Sequence, residues 1–106
     1  MQETEFNTLV EETFNKIEES IDALDKDIDP ELNNDILTLT FPNHARIIIN
    51  RQLSAKQLWI ATPKQGYHLD YIDGKWVCCK HKQTLVEILS DACSQQLNEK
   101  VNLKAL

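Results

Sequence analysis

From Phe6 onward the apolar residues fall at Phe6, Leu9, Val10, Phe14, Ile17, Ile21 and Leu24. Steps of three and four trace one stripe of an amphipathic helix, because an α-helix turns once every 3.6 residues. A helix is predicted over residues 3–25. Pro30 and the Asn33-Asn34 pair then punctuate the chain, and the period drops to two. Ile36-Leu37-Thr38-Leu39-Thr40-Phe41 sets Leu and Phe against Thr, the pattern of a strand with one buried face. Pro42-Asn43-His44 reads as the turn that follows. Further strands are predicted over 46–51, 57–62, 67–72 and 75–78, the last two joined by Asp73-Gly74, a pair that favours a type I′ turn. Thr84-Leu85-Val86-Glu87 is a capping box, and it opens a second helix whose stripe is Leu85, Ile88, Leu89, Ala92 and Leu97. Asn98 ends that helix, and Val101-Asn102-Leu103 alternates again, as an extended tail packed on the domain would. Helix, strands, helix describes an α+β two-layer sandwich. Both helices are expected on one face of an antiparallel sheet of about five or six strands, leaving the opposite face to water or to a partner.

The 106 residues make one domain, 1–106, by the usual range of roughly 100 to 200 residues per domain. A composition of 42% hydrophobic and 26% charged residues is that of a soluble globule. No apolar run approaches the roughly 20 residues of a membrane span. The opening Met1-Gln2-Glu3-Thr4-Glu5 is acidic where leader peptides are basic, so the chain is expected to stay in the cytosol. Three cysteines, with Cys78 and Cys79 adjacent, speak against a disulfide framework. Cys78 is read as core, Cys79 as surface and Cys93 as part of the second helix.

Charge adds an asymmetry that periodicity does not show. Up to Asp35 the chain carries 12 acidic residues against Lys16 and Lys26, a net of −10, whereas the remainder carries nine basic and five acidic residues, a net of +4. Nucleic acid is an unsuitable partner, because phosphate binding needs clustered Lys and Arg. An acidic pole suits cations or a basic protein surface. At about 100° per residue, Glu11, Glu18, Asp22 and Asp25 share the side of the first helix away from its apolar stripe, flanked by Glu12 and Glu19. Asp27, Asp29, Glu31 and Asp35 follow at the helix exit. Like charges four apart, such as Glu18 and Asp22, weaken a helix, and acids at its C-terminal end oppose its dipole. An acidic helix face is often no more than a solubilising one, but this placement runs against stability and favours an open ridge of oxygen ligands.

Carboxylates suit Fe, Mn, Mg and Ca, yet they impose little geometry without a Gly-turned loop or His ligands. His44, His68 and His81 all lie outside the first helix, and no Glu-x-x-His pair of the di-iron type occurs. Cys78-Cys79 lacks the C-x-x-C spacing of zinc and redox sites. Two glycines cannot build a phosphate loop, and no nucleophile stands with a recognisable base. The chain is therefore not expected to be an enzyme. A second signal lies in the strands. If Leu58 and Ile60 face the helices, Trp59 faces out, together with Asn50 and Gln52, Gln57, and His68 and Asp70 of neighbouring strands. A Trp ringed by amides and a His has the make-up of a protein-binding hot spot. Trp76 is assigned to the core.

These segments together resemble the bacterial frataxin family over nearly the whole chain. The likeness rests on the acidic first helix, on Ile47-Ile48-Ile49-Asn50-Arg51-Gln52 and on Gln57-Leu58-Trp59-Ile60-Ala61, followed by Gly66-Tyr67-His68-Leu69-Asp70-Tyr71, Lys75-Trp76 and Thr84-Leu85. The resemblance implies the frataxin fold and an iron-binding role in iron–sulfur cluster assembly, as iron donor or iron-dependent regulator. It implies a weak site for Fe2+ or Fe3+, with other divalent cations able to substitute, at Glu11, Glu18, Glu19, Asp22, Asp25, Asp27, Asp29 and Glu31. It also implies docking on the cysteine desulfurase and scaffold protein through Asn50, Gln52, Gln57, Trp59 and His68. A monomer is expected, with oligomers formed under iron load. Two other functions stay open, an iron-oxidising or iron-storing protein and an acidic adaptor whose metal binding is incidental. The absence of His ligands from the ridge weighs against the former.

Overall fold

The computed structural model describes residues 1–78, 80 and 82–103. Helix α1 (Glu3–Ala23) is followed by β1 (Asp29–Asn33), β2 (Ile36–Thr40), β3 (Arg46–Gln52), β4 (Gln57–Ala61), β5 (Gly66–Ile72) and β6 (Lys75–Cys78), and helix α2 (Leu85–Leu97) closes the order. The strands form one antiparallel meander in sequence order. Both helices cover the same face, and no helix among the described residues is long and apolar enough to cross a membrane.

The core is the meeting of the two predicted periodicities. Phe6, Val10, Phe14, Ile17 and Ile21 of α1 are each no more than 1% exposed, and they lie on Leu37, Leu39, Ile47, Ile49, Leu58, Ile60 and Leu69 of the sheet. Leu85, Ile88, Leu89, Ala92 and Cys93 of α2 complete the layer. Thr13 and Ser20 are the polar side chains buried in α1. Thr13 has a clear reason to be there: its Oγ1 donates to the Leu9 carbonyl at 2.8 Å and accepts the Trp76 indole N–H at 3.0 Å. That bond fixes Trp76 edge-on to Phe6 and Tyr71, with centroids 6.2 and 5.1 Å away.

Both ends of α2 behave as the sequence indicates. Thr84 Oγ1 accepts from Glu87 N at 3.3 Å, while the Glu87 carboxylate accepts from Thr84 N at 2.9 Å and has its pKa lowered by that backbone hydrogen bond. Asn98 takes the left-handed conformation, φ 56°, that terminates helices. The tail then packs extended: Val101 and Leu103 are buried, and their N–H groups donate to Ser94 Oγ and Ser90 Oγ at 2.9 and 3.0 Å. Asp73 and Gly74 both have positive φ, 50° and 79°, as a type I′ turn requires. Cys78 and Cys93 are buried and unbridged, and burial pushes the Cys93 thiol up to about 12. Cys79 and His81 lie outside the described residues.

Several details differ from the sequence reading, beginning with β3, which runs one residue further to Gln52, and β5, which starts one residue earlier at Gly66. Helix α1 stops at Ala23, with Asp25 already in the left-handed region at φ 54°, so Asp25 leaves the helical face it was predicted to share. The strand over 57–62 ends at Ala61, because Thr62 Oγ1 turns the chain by accepting from Lys64 N and Gln65 N. Asp29–Asn33 forms an additional strand where only punctuation was legible. It is an edge strand bonded to β2 alone, a position in which Pro30 is tolerated. Strand parity also carries Arg51 inward, beside Ile49. Its Nη1 donates to Asn7 Oδ1 at 3.1 Å, its Nε lies 3.4 Å from the Asp35 carboxylate without a hydrogen bond, and its guanidinium carbon stands 5.8 Å from the Phe14 ring centroid.

The Thr13–Trp76 bond can be tested by denaturant unfolding. Thr13→Val leaves a buried indole N–H unsatisfied and should destabilise by about 1–3 kcal/mol, whereas pairing it with Trp76→Phe removes the orphaned donor. The double variant should then lose less stability than the sum of the two single losses. Strict additivity would show that the hydroxyl is not the partner that matters.

Candidate functional site

The uncovered face of the sheet is ordered by register. Asn33 pairs with Ile36, Ile36 with Asn50, Asn50 with Trp59, and Trp59 with His68, so one row of outward side chains crosses five strands. A second row carries Gln52, Gln57 opposite it, and Asp70 opposite Val77. Trp59 is half-buried although no helix covers it. Its indole stacks on His68, with centroids 4.2 Å apart and planes 11° from parallel. Its N–H donates to Gln57 Oε1 at 2.8 Å, and Gln57 Nε2 donates to Asp70 Oδ1 at 3.0 Å. Beside the stack lies a shallow hollow of about 210 Å³, lined by Ile48, Asn50, Trp59, Ala61, Gly66 and His68. All five side chains predicted for docking, Asn50, Gln52, Gln57, Trp59 and His68, therefore share one surface.

The predicted acidic ligands divide between two places. Glu11, Glu19 and Asp22 are exposed on α1 and Glu18 is half-buried there, while Asp25 and Asp27 occupy the exposed turn after it. Asp29 and Glu31 are on β1, where pairing with Thr40 and Thr38 turns them to the outer face of the sheet. They stand at the β1 edge of the surface that carries Trp59, a continuity that no linear spacing shows. Among the described residues no three His, Cys, Asp or Glu side chains converge into a group that could hold a metal ion. The ridge thus offers hard oxygen donors singly or in pairs, and a bound cation would keep most of its water. Such a donor set fits loose, exchangeable binding of a hard cation and does not fit a rigid catalytic centre.

The last turn of α1 contains no basic residue. Lys26, just beyond it, is drawn off to Glu99 at 2.8 Å, and the hydrogen bond to that carboxylate raises its pKa. The helix end therefore faces its own carboxylates without a free compensating cation from Lys26.

The profile of the frataxin-like domain matches residues 1–99. The chain belongs to the frataxin family. The iron-sulfur cluster assembly protein CyaY of Tolumonas auensis is 50% identical over 103 residues, covering 97% of this chain and 99% of that protein. A solved frataxin of the CyaY family from Psychromonas ingrahamii superposes with a TM-score of 0.92 at 38% identity, over 99% of this chain and all of the other. A trimeric yeast frataxin, from Saccharomyces cerevisiae and complexed with ferrous iron, gives a TM-score of 0.70 at 26% identity, over 93% of this chain and 88% of that one. The two-layer frataxin fold expected from the resemblance is the fold observed, with six strands.

Within this frataxin surface, sequence reasoning left out two residues. Asp70 was legible as outward-facing, but its bond to Gln57 depends on the β4–β5 register. Ile36, 39% exposed, extends the Asn50–Trp59 row onto β2, and simple alternation of its strand already pointed it outward.

Replacing Asp22 by Lys should test whether the acidic helix end is a compromise. The change removes a like-charge pair with Glu18 and meets the helix dipole, so unfolding should be harder by about 0.3–1 kcal/mol at low salt. A lower denaturant midpoint would reveal a structural partner for Asp22.

Proposed function

We propose that this frataxin is an iron-binding protein of iron–sulfur cluster assembly that works in the cytosol without catalysis of its own. It donates iron to the cysteine desulfurase–scaffold complex or regulates that complex according to iron supply. The observation that carries the reading is the contiguity of two surfaces. The Trp59 row is a flat, uncovered, partly apolar patch, and the carboxylates of Asp29 and Glu31 stand at its edge with those of α1 beyond. A partner seated on the sheet would bring its own groups next to the ridge. The name of the Tolumonas auensis relative supports the role, and the ferrous iron complexed with the yeast relative supports the cargo. In mechanism, the carboxylates hold iron weakly and mostly hydrated, which permits transfer, and the ridge adds long-range attraction for a basic partner. The protein acts as a monomer, with association under iron load.

Titration with Fe(II) under anaerobic conditions, or with Mn(II) or Co(II), should perturb backbone amides of α1 and of residues 25–31 while leaving His68 unchanged. Moderate salt should weaken it, since exposed charge is screened within about 10 Å at 0.1 M ionic strength. Tight, salt-insensitive binding at the cysteines would reassign the metal site. No response of the helix amides would favour the adaptor reading, in which the ridge recognises a basic protein surface.

Trp59→Arg separates docking from folding. A core Trp lost in this way would cost about 3–5 kcal/mol and collapse a domain of this size. Because Trp59 lies outside the core, the variant should keep its thermal midpoint within a few degrees and keep its metal response. Its affinity for the purified desulfurase–scaffold complex should fall by about 2 kcal/mol or more, roughly thirtyfold. An intact fold with undiminished affinity would remove the sheet face from the mechanism.

A further inference from the structure

We infer that Asp70 is a positioning residue of the docking face, acting through Gln57 on Trp59. The inference rests on the docking reading above and adds a residue to it. Gln57 lies between two partners of opposite demand. The Trp59 indole N–H can only donate, and the ionised Asp70 carboxylate can only accept. One orientation of the Gln57 amide satisfies both, with Oε1 toward the indole at 2.8 Å and Nε2 toward Asp70 at 3.0 Å. Turning the amide over would set NH2 against N–H and oxygen against carboxylate. The indole and Asp70 therefore demand the same orientation, and Asp70 holds from the far side the amide that anchors the indole.

The fixed plane is what allows the stack. Trp59 and His68 are a directly opposed cross-strand pair on β4 and β5, and their rings lie 11° from parallel at 4.2 Å. Without its N–H anchor, the indole would be free to turn about χ2 and to leave the imidazole. A ring held before contact loses less conformational freedom when a partner arrives, which strengthens binding without any new contact. The anchor also uses the indole N–H, so a partner meets Trp59 through its ring and edge. The docking counterpart expected at this point is an apolar or π-bearing group and not a hydrogen-bond acceptor.

The test uses the full chain and the purified cysteine desulfurase–scaffold complex. In Asp70→Ala the Trp59 indole N–H resonance should shift and exchange faster with water, the thermal midpoint should move by no more than a few degrees, and affinity for the complex should fall about fivefold, the scale of one side chain left unordered before binding. Gln57→Glu alone keeps an acceptor for the indole but sets two carboxylates side by side, and their repulsion should displace the anchor. Gln57→Glu combined with Asp70→Asn restores the polarity of the chain, since one carboxylate oxygen accepts from the indole and the other from the new amide. Both the indole resonance and the affinity should then recover to near the wild-type values. A role that is only structural would not predict this rescue. An unmoved indole resonance in Asp70→Ala, a moved resonance with full affinity, or a double variant that fails to recover overturns the inference. Failure of the docking reading is separate, because it appears as full affinity in Trp59→Arg.

Discussion

Seven aliphatic side chains on one face of the sheet, from Leu37 on β2 to Leu69 on β5, must be kept from water, and α1 and α2 together cover them. Each side chain of this kind contributes about 1.5–3 kcal/mol when fully buried, so this contact dominates folding. It commits one stripe of α1 and one face of the strands. The outer side of α1 and the outer face of the sheet are released from packing by the same arrangement. Both functional surfaces lie on what is released. Acidic residues can gather on α1 at the expense of local helix stability because the opposite stripe holds the helix in place.

The periodic parts of this architecture were legible in the chain. Steps of three and four gave α1, alternation gave β2 to β6, and Thr84 with Glu87 gave the start of α2 to the residue. What was not legible is non-periodic or non-local. Strand β1 contains Asp, Pro and Glu, residues with low strand preference, and forms because β2 offers a free edge. Asp25 was projected onto the helix by arithmetic that ceases to apply where the helix ends. The docking residues were found by alternation together with family likeness, whereas Asp70 joins them through a register that fixes which residue of β5 lies beside which residue of β4.

Electrostatics on the acidic side follow from a small local choice. Lys26 sits where a cation would compensate the end of α1, and its pairing with Glu99 ties that end to the segment after α2. An exposed pair of this sort contributes little to stability. Its larger effect is to direct the Lys26 charge mainly to Glu99, with only a minor attraction left for Asp25, while Asp22, Asp25 and Asp27 stay exposed. The same chain thereby holds a negative surface open to cations next to a sheet face of amide and aromatic side chains suited to a protein, and the two meet along β1.

An uncovered six-stranded sheet would ordinarily invite further strands to add at its sides. Here neither side is a free template. On β1, Pro30 presents no backbone N–H and Asp29 and Glu31 bring like charge to any second copy of the edge. On the far side, Val77 of β6 bridges Thr84, and Cys78 N donates to the Gln83 carbonyl at 2.8 Å, so the chain's own return to α2 occupies the backbone groups there. Main-chain pairing is thus discouraged at both borders, which favours contact with other proteins through side chains, and these can select a partner where a bare ladder would accept any extended peptide.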